Sequence, residues 1–190
     1  MHYLVFAGIN GAGKSTLFQT GLWLREEFSY DMKRVNSDEI LRLNKGDSNN
    51  RSDQLKAMRA AVLMISEYFT HGQSFNQETT LSGYKSVRDI QEAVSLGYKV
   101  IMYYVGVNNP EIASARIKHR ASIGGHYIEP EIVERRSVNS LMNLKAVLKF
   151  CDEAYLFDNT FDLVLVRSYR KGQLEFNRTN SYATWLSGLH

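Results

Sequence analysis

Four residues near the start of the chain have the types and spacing to hold a phosphate group. Gly8 is followed, after four residues, by Gly13, Lys14 and Ser15, the pattern G-x-x-x-x-G-K-[ST]. Glycines let successive backbone N–H groups turn toward an anion, because a side chain would block both positive φ angles and close approach. The lysine would lie along the β and γ phosphates, and the serine hydroxyl would hold Mg²⁺. The spacing therefore predicts a P-loop that binds ATP and Mg²⁺.

Two acidic residues further along the chain could do chemistry at that phosphate. Asp38 follows a short predicted strand, and ligands gather at the carboxyl ends of strands in open parallel sheets. It could accept the proton of an attacking hydroxyl or merely cap the next helix, and position alone does not decide. Glu78 follows a third predicted strand, Ser74 to Gln77, whose composition is poor for a strand. An acidic residue there can reach Mg²⁺ or the acceptor, while the adjacent Thr79 and Thr80 could bond to substrate oxygens or be structural.

These residues need elements that bring them to one edge of a sheet. The apolar run from Tyr3 to Ala7 precedes the P-loop, and a helical pattern follows it to about Glu27. The run from Tyr98 to Val107 is almost unbroken in apolar and aromatic residues, which is typical of a central strand buried on both faces. Strands that alternate with helices predict an α/β fold of the P-loop NTPase, nucleoside-kinase-like type. We expect a mostly parallel five-stranded sheet flanked by helices, with a C-terminal hairpin over 163–176.

One domain over residues 1–190 is expected, since the chain has two prolines and no low-complexity tract that would mark a linker. Residues of about 44–71, a polar loop and a long helix, would bind the acceptor. Residues of about 122–130 contain two glycines and join two arginine-bearing helices. They are interpreted as a lid, because phosphoryl transfer needs cationic donors. Surface salt bridges are the ordinary alternative for those arginines.

Composition and charge restrict the class of partner. The net charge is +3, from 23 Lys and Arg against 20 Asp and Glu, and basic residues do not form runs. The charge pattern therefore argues against nucleic acid as a partner, whereas anionic nucleotides fit this charge. Cys151 is the single cysteine and cannot form an internal disulfide, which favours a reducing compartment. With no expected signal peptide or membrane span, the prediction is a cytoplasmic protein.

Several pieces of the chain, in order, resemble the zeta-toxin family of P-loop kinases in its short single-domain form. Besides the P-loop they include Glu-Thr-Thr-Leu-Ser-Gly at 78–83 and Gly-Gly-His at 124–126, and together they span about residues 4 to 160. The resemblance implies ATP-dependent phosphorylation of a sugar hydroxyl on UDP-N-acetylglucosamine or a close relative. It also implies a partner antitoxin that blocks the ATP site.

The same resemblance implies roles for individual residues. Asp38 would be the catalytic base, with Lys14 and Arg120 stabilising the transferred phosphate. The family has an arginine where His126 or Tyr127 stands here, and Arg135 or Arg136 could replace it. The nucleotide contacts would come from Gly8, Asn10, Gly11, Ala12, Gly13, Lys14, Ser15, Thr16, Arg116 and Arg136. The acceptor contacts would come from Asp38, Arg59, Glu78, Thr79, Thr80 and His126, with Mg²⁺ on Ser15 and Glu78 as a further candidate ligand.

Two other functions remain open on the sequence. The first is a P-loop kinase for another small hydroxyl compound, such as an antibiotic or a nucleic-acid 5′ end. The second is a non-catalytic ATP-binding module, in which bound ATP orders the lid to present a protein surface. A substrate panel separates the first from a sugar kinase, and substitution of Asp38 separates the second from both.

Overall fold

The computed structural model describes residues 1–178 and 182–189, whose strands form one seven-stranded sheet. The strands are β1 (His2–Ala7), β2 (Lys33–Val35), β3 (Phe75–Thr79), β4 (Lys99–Gly106), β5 (Glu153–Asp158), β6 (Val164–Arg170) and β7 (Gln173–Asn177). The α-helices are α1 (Lys14–Thr20), α2 (Ser37–Leu43), α3 (Arg51–Thr70), α4 (Tyr84–Ser95), α5 (Pro110–Ser122) and α6 (Pro130–Val147), with short 3-10 helices at Leu148–Phe150 and Thr184–Gly188. The strand order is β2-β3-β1-β4-β5-β6-β7. The first five are parallel and the last two antiparallel, which confirms the predicted α/β fold with a C-terminal hairpin.

The central strands carry the core on both faces of the sheet. Successive residues of a strand point to opposite faces, so Tyr3 and Val5 pack in one apolar layer and Leu4 and Phe6 in the other. Helices α3 and α4 and the end of α6 pack in the first layer, and helices α1 and α5 and the start of α6 pack in the second. Among the described residues, no helix is long and apolar enough to cross a bilayer. The central strands β1 and β4 are thus buried on both sides, and the loops lie at the carboxyl edge of the parallel strands.

The first helix is shorter than the sequence predicts. It ends at Thr20 rather than near Glu27, because Gly21 adopts a left-handed conformation with φ 71 and its N–H bonds to the Phe18 carbonyl. Trp23 then folds back, donating its indole N–H to the same carbonyl at 2.8 Å and stacking on the Phe18 ring. The apolar residues that suggested a longer helix therefore do pack in the core, but from a turn.

Strand β3 forms despite its polar composition, because its buried polar side chains bond to the neighbouring strands; among the described atoms only Nδ2 of Asn76 in this strand is buried without a partner. The Tyr3 hydroxyl donates a hydrogen bond to Gln77, and Asn76 accepts one at 2.9 Å from Arg34 on the neighbouring strand β2. The parallel register sets Phe6 beside Glu78. The P-loop, the end of β2 and the end of β3 therefore emerge at one edge of the sheet, as predicted.

Candidate active site

The P-loop has the backbone conformation that its glycines allow. Gly8, Gly11 and Gly13 have φ values of 134, 77 and 109, which L side chains rarely adopt. A Cβ atom on Gly8 would lie 2.2 Å from the Val105 carbonyl oxygen, and one on Gly13 would lie 2.2 Å from the Asn159 amide nitrogen. The loop thus turns tightly against β4 and the loop that follows β5, with its backbone close to the cleft.

Lys14 is the buried cation of the site, with 7% of its surface exposed. Its ammonium group donates a hydrogen bond to the Ile9 carbonyl at 3.2 Å and lies 3.9 Å from Oε1 of Glu78. Burial lowers the pKa of Lys14, and the negative charges of Glu78 and Asp38 partly offset that effect. The negative charges of both predicted acidic residues therefore raise the pKa of the predicted phosphate-binding lysine.

Glu78 is held at the centre of a network from three directions. The Ser15 hydroxyl donates to its Oε1 at 3.1 Å. Its Oε2 accepts hydrogen bonds from the Arg34 guanidinium at 2.7 Å and from the Asn36 amide at 3.0 Å. This carboxylate thus stands beside the hydroxyl that the sequence assigns to Mg²⁺.

Asp38 lies in the first turn of α2, but it is not the residue that caps this helix. The Asn36 side chain is the cap, and it accepts from the backbone N–H groups of Asp38 at 2.9 Å and Glu39 at 3.4 Å. Within residues 1–178 and 182–189, the Asp38 carboxylate has no side-chain hydrogen bond or ion pair of its own. It faces the cleft with both oxygens available to a ligand.

These groups line a cleft of about 260 Å³. Its walls are formed by Asn10, Gly11, Gly13, Lys14, Ser15, Thr16, Asp38, Glu78, Arg116, Arg120 and Asn159. All but one of them were predicted as site residues from the sequence. The exception is Asn159, whose side-chain amide donates to the Ala12 carbonyl at 2.7 Å and so holds the P-loop.

Arg116 reaches the cleft wall, but backbone carbonyls occupy its guanidinium. One nitrogen donates to the carbonyl oxygens of Asn159 at 2.8 Å and Thr160 at 3.3 Å, and another to that of Gly11 at 3.5 Å. The residue thus ties α5 to the P-loop. With these contacts its guanidinium positions the P-loop backbone and is not free in the cleft.

Besides Lys14, two cations lie near the P-loop: Arg120 in the cleft wall and Arg136 against Asn10. The Arg120 side chain lines the cleft and has neither a hydrogen bond nor an ion pair in the described part of the chain. Arg136 donates to Oδ1 of Asn10 in the P-loop at 2.7 Å. Burial lowers the pKa of Arg136, and the neighbouring charge of Arg135 adds to that effect. The positive charges of Arg120 and Arg136 also lower the pKa of Lys14, so these three cations interact electrostatically.

Four predicted acceptor residues lie outside the cleft lining. Arg59 is exposed on α3 and has no hydrogen bond or ion pair with any described residue. The hydroxyls of Thr79 and Thr80 bond to nearby serine hydroxyls at 2.7 and 2.8 Å. His126 lies between α5 and α6, and its Nδ1 is buried with no hydrogen-bond partner among the described atoms.

One sequence relative decides the family of this chain. A protein of Haemophilus influenzae (strain Rd), described only as an uncharacterized protein, is 33% identical over 136 residues, which cover 70% of this chain and 90% of that protein. The chain belongs to the family of that protein. No protein-family model matches the sequence. Membership in this family therefore brings no activity with it.

Solved structures show the same fold. A chain from the PezAT chromosomal toxin-antitoxin system of Streptococcus pneumoniae matches with a TM-score of 0.64 and 17% identity, over 99% of this chain and 77% of that one. A chain of the AvrRxo1-ORF1:-ORF2 complex with ATP matches with a TM-score of 0.66 and 16% identity over 92% of this chain. The present chain spans 60% of the length of that AvrRxo1 chain. At these identities the likeness concerns the fold, which is P-loop kinase-like.

Proposed function

We propose that this protein is an ATP-dependent phosphotransferase that phosphorylates a hydroxyl group of a small acceptor. The position of Asp38 is the observation that carries the proposal. Its carboxylate lines the same cleft as the P-loop, its negative charge raises the pKa of Lys14, and it has no side-chain partner among the described residues. A carboxylate in that place can orient an acceptor hydroxyl and take its proton as the oxygen attacks the γ phosphate.

The nucleotide would lie across the P-loop. Backbone N–H groups of this loop and the Lys14 ammonium would hold the phosphates, while Arg120 and Arg136 would neutralise charge that develops during transfer. The ATP in the AvrRxo1 complex supports this choice of nucleotide. In the described regions, no three His, Cys, Asp or Glu side chains converge on a possible metal position.

The oxygen donors of the site fit Mg²⁺. The Ser15 hydroxyl and the Glu78 carboxylate are adjacent, and Mg²⁺ prefers oxygen ligands and usually shares them with water and substrate phosphates. Ser15 would bind the ion directly, and Glu78 would bind it directly or through water. When bound, the ion supplies positive charge to the β and γ phosphates.

For the acceptor we propose UDP-N-acetylglucosamine or a close relative. The resemblance to zeta toxins supports it, and the shared fold with a chain of a toxin-antitoxin system agrees with it. Residues 122–130 would then close as a lid within a single kinase domain, and 44–71 would receive the sugar. Arg59, Thr79, Thr80 and His126 would contact the acceptor only after local rearrangement. A partner antitoxin that covers the ATP site is part of the same proposal.

A substrate panel with ATP and Mg²⁺ tests the reaction. We expect mass spectrometry to find one added phosphate on a UDP-sugar, and Asp38→Asn to lower the rate about 10²- to 10⁴-fold because the general base is lost. Asp31→Asn, an exposed acid before β2, is the matched control and should leave the rate unchanged. Label on another alcohol would replace the sugar as acceptor. Undiminished turnover in Asp38→Asn would refute the assignment of the base.

A further inference from the structure

Arg34 lies on the edge strand β2, outside the P-loop, and the mechanism proposed above gives it no role. We propose that it is a positioning residue, which orients Glu78 toward Mg²⁺ and keeps Lys14 free for the nucleotide. This inference rests on the proposed function, because it assumes that Mg²⁺ and a nucleotide occupy the cleft. It adds a determinant of metal binding that does not itself touch the reacting groups.

The guanidinium of Arg34 is fixed on all of its edges. Nε donates to the Glu39 carboxylate at 3.0 and 3.2 Å, and Nη1 donates to Oδ1 of Asn76 at 2.9 Å. Nη2 donates to Oε2 of Glu78 at 2.7 Å. The guanidinium also lies over the Phe18 ring, 3.8 Å from its centroid, and the side chain is 13% exposed. A guanidinium held in this way can donate to the Glu78 carboxylate from one direction only, and it therefore fixes the orientation of that carboxylate.

This contact determines which oxygen of Glu78 faces the nucleotide side. Arg34 and the Asn36 amide both donate to Oε2, which leaves Oε1 without a donor from either residue. Oε1 is the oxygen closer to the Ser15 hydroxyl, at 3.1 Å against 3.3 Å for Oε2. The oxygen that can meet a Ser15-bound ion is therefore selected by Arg34 on the neighbouring strand and by Asn36, the residue that caps α2.

Arg34 also keeps Glu78 from pairing fully with Lys14. The Lys14 ammonium lies 3.9 Å from Oε1, which is too far for a hydrogen bond. The Glu78 side chain is only 10% exposed, so without Arg34 it would be a poorly solvated charge with one other cation nearby. It would then close on Lys14 and withdraw the ammonium from the phosphates.

Strand pairing explains why arginine suits this position. Arg34 is in register with Asn76, and Glu78 is two residues further along the same face of β3. One planar fork with several donors can bind Asn76 and Glu78 together, whereas a lysine offers a single point charge. Arg34→Lys should therefore keep the charge and lose the orientation.

The test measures Mn²⁺ affinity of the full chain with bound ADP, by electron paramagnetic resonance. We expect Arg34→Met to weaken Mn²⁺ binding about 10- to 100-fold, the usual effect of losing a partner of a metal ligand. Arg34→Lys, which is more certain to fold, should show at least about a 10-fold loss. Arg25→Met is the matched control, since Arg25 also stacks on aromatic rings and pairs with a buried acid, Glu153, at the opposite edge of the sheet. It should leave Mn²⁺ affinity unchanged.

A double-mutant comparison shows whether Arg34 acts through Glu78. In a Glu78→Gln background, adding Arg34→Met should cause no further loss of Mn²⁺ affinity, because the carboxylate that it orients is absent. Fully additive losses, or wild-type affinity in both Arg34 variants, would overturn the inference and leave the kinase proposal standing. Failure of the unmodified protein to bind ADP and Mn²⁺ would instead count against the proposed function itself.

Discussion

Lys14 combines burial with two nearby acids, and this combination indicates a ligand. A buried lysine is costly unless its charge is compensated, and burial lowers the pKa of Lys14 although the negative charges of Glu78 and Asp38 raise it. Its one hydrogen-bond acceptor in the described structure is the Ile9 carbonyl, so two of its three N–H donors remain for other groups. A phosphate in the cleft would supply both the charge and the acceptors.

Lys14→Ala should lower the rate of phosphoryl transfer about 10²- to 10³-fold, because a positioned donor to the transition state is removed. Thermal unfolding should change little, since the substitution also removes the cost of burying a cation. Steady-state kinetics with ATP measure the first effect. Lys118→Ala, an exposed lysine on α5, serves as the control and should behave as wild type. A Lys14→Ala variant with a normal rate would remove the P-loop lysine from the mechanism.

At the scale of elements, the P-loop is held by its neighbours as well as by its own glycines. Asn159, after β5, donates to the Ala12 carbonyl, and Arg116, on α5, donates to the Gly11 carbonyl. Arg116 also binds the carbonyl of Asn159, so both contacts form one unit. One residue in the middle of α5 and one residue after β5, both distant from the P-loop in sequence, thereby determine where the loop lies.

Arg116→Met should weaken ATP binding about 10-fold and lower the free energy of unfolding by about 1–2 kcal/mol, since several hydrogen bonds to the backbone are lost. Calorimetric titration with ATP and chemical denaturation measure the two effects. Arg88→Met, an exposed arginine on α4, is the control. If Arg116→Met reduces turnover while affinity and stability stay at wild-type values, Arg116 contacts the phosphate directly.

Local signals explain what the sequence could predict about these elements. The P-loop was predictable because one short segment contains all of its requirements, and β4, Lys99–Gly106, lies within the predicted run from Tyr98 to Val107 because that run is almost unbroken in apolar and aromatic residues. The end of α1 at Thr20 could not be predicted, because apolar residues continue the helical pattern beyond Gly21, the residue at which the helix ends. Arg34 could not be found at all, because its role depends on the pairing of β2 with β3, and no local pattern encodes that register.

At the scale of the whole molecule, a buried acid stabilises the end of the sheet that lies opposite to the cleft, where the parallel strands begin. Glu153 begins β5 and accepts hydrogen bonds from Arg25 at 2.8 Å and Tyr155 at 2.6 Å, with Lys99 at 3.4 Å and Arg170 at 3.7 Å. These partners come from β4, β5, β6 and the segment after α1. Burial alone would raise the pKa of Glu153, but the hydrogen bonds and surrounding cations lower it to about 2.

This pKa makes the stability of the protein depend on pH in a defined window. The ordinary value is 4.5, so ionised Glu153 stabilises the folded state above about pH 4.5, and the contribution is lost as pH falls toward about 2. Glu153→Gln should lower the free energy of unfolding at pH 7 by roughly 2 kcal/mol, allowing for solvent around the exposed partners.

The difference between wild type and Glu153→Gln should shrink as the pH is lowered through that window, because protonation removes the same charge from the wild type. Urea denaturation at several pH values measures it. Glu175→Gln is the control, since Glu175 pairs with Arg170 at 2.7 Å on the exposed strand β7, and such pairs contribute about 0–1 kcal/mol. A constant difference between the two proteins from pH 7 to pH 2.5 would show that Glu153 stabilises the sheet by packing rather than by its charge.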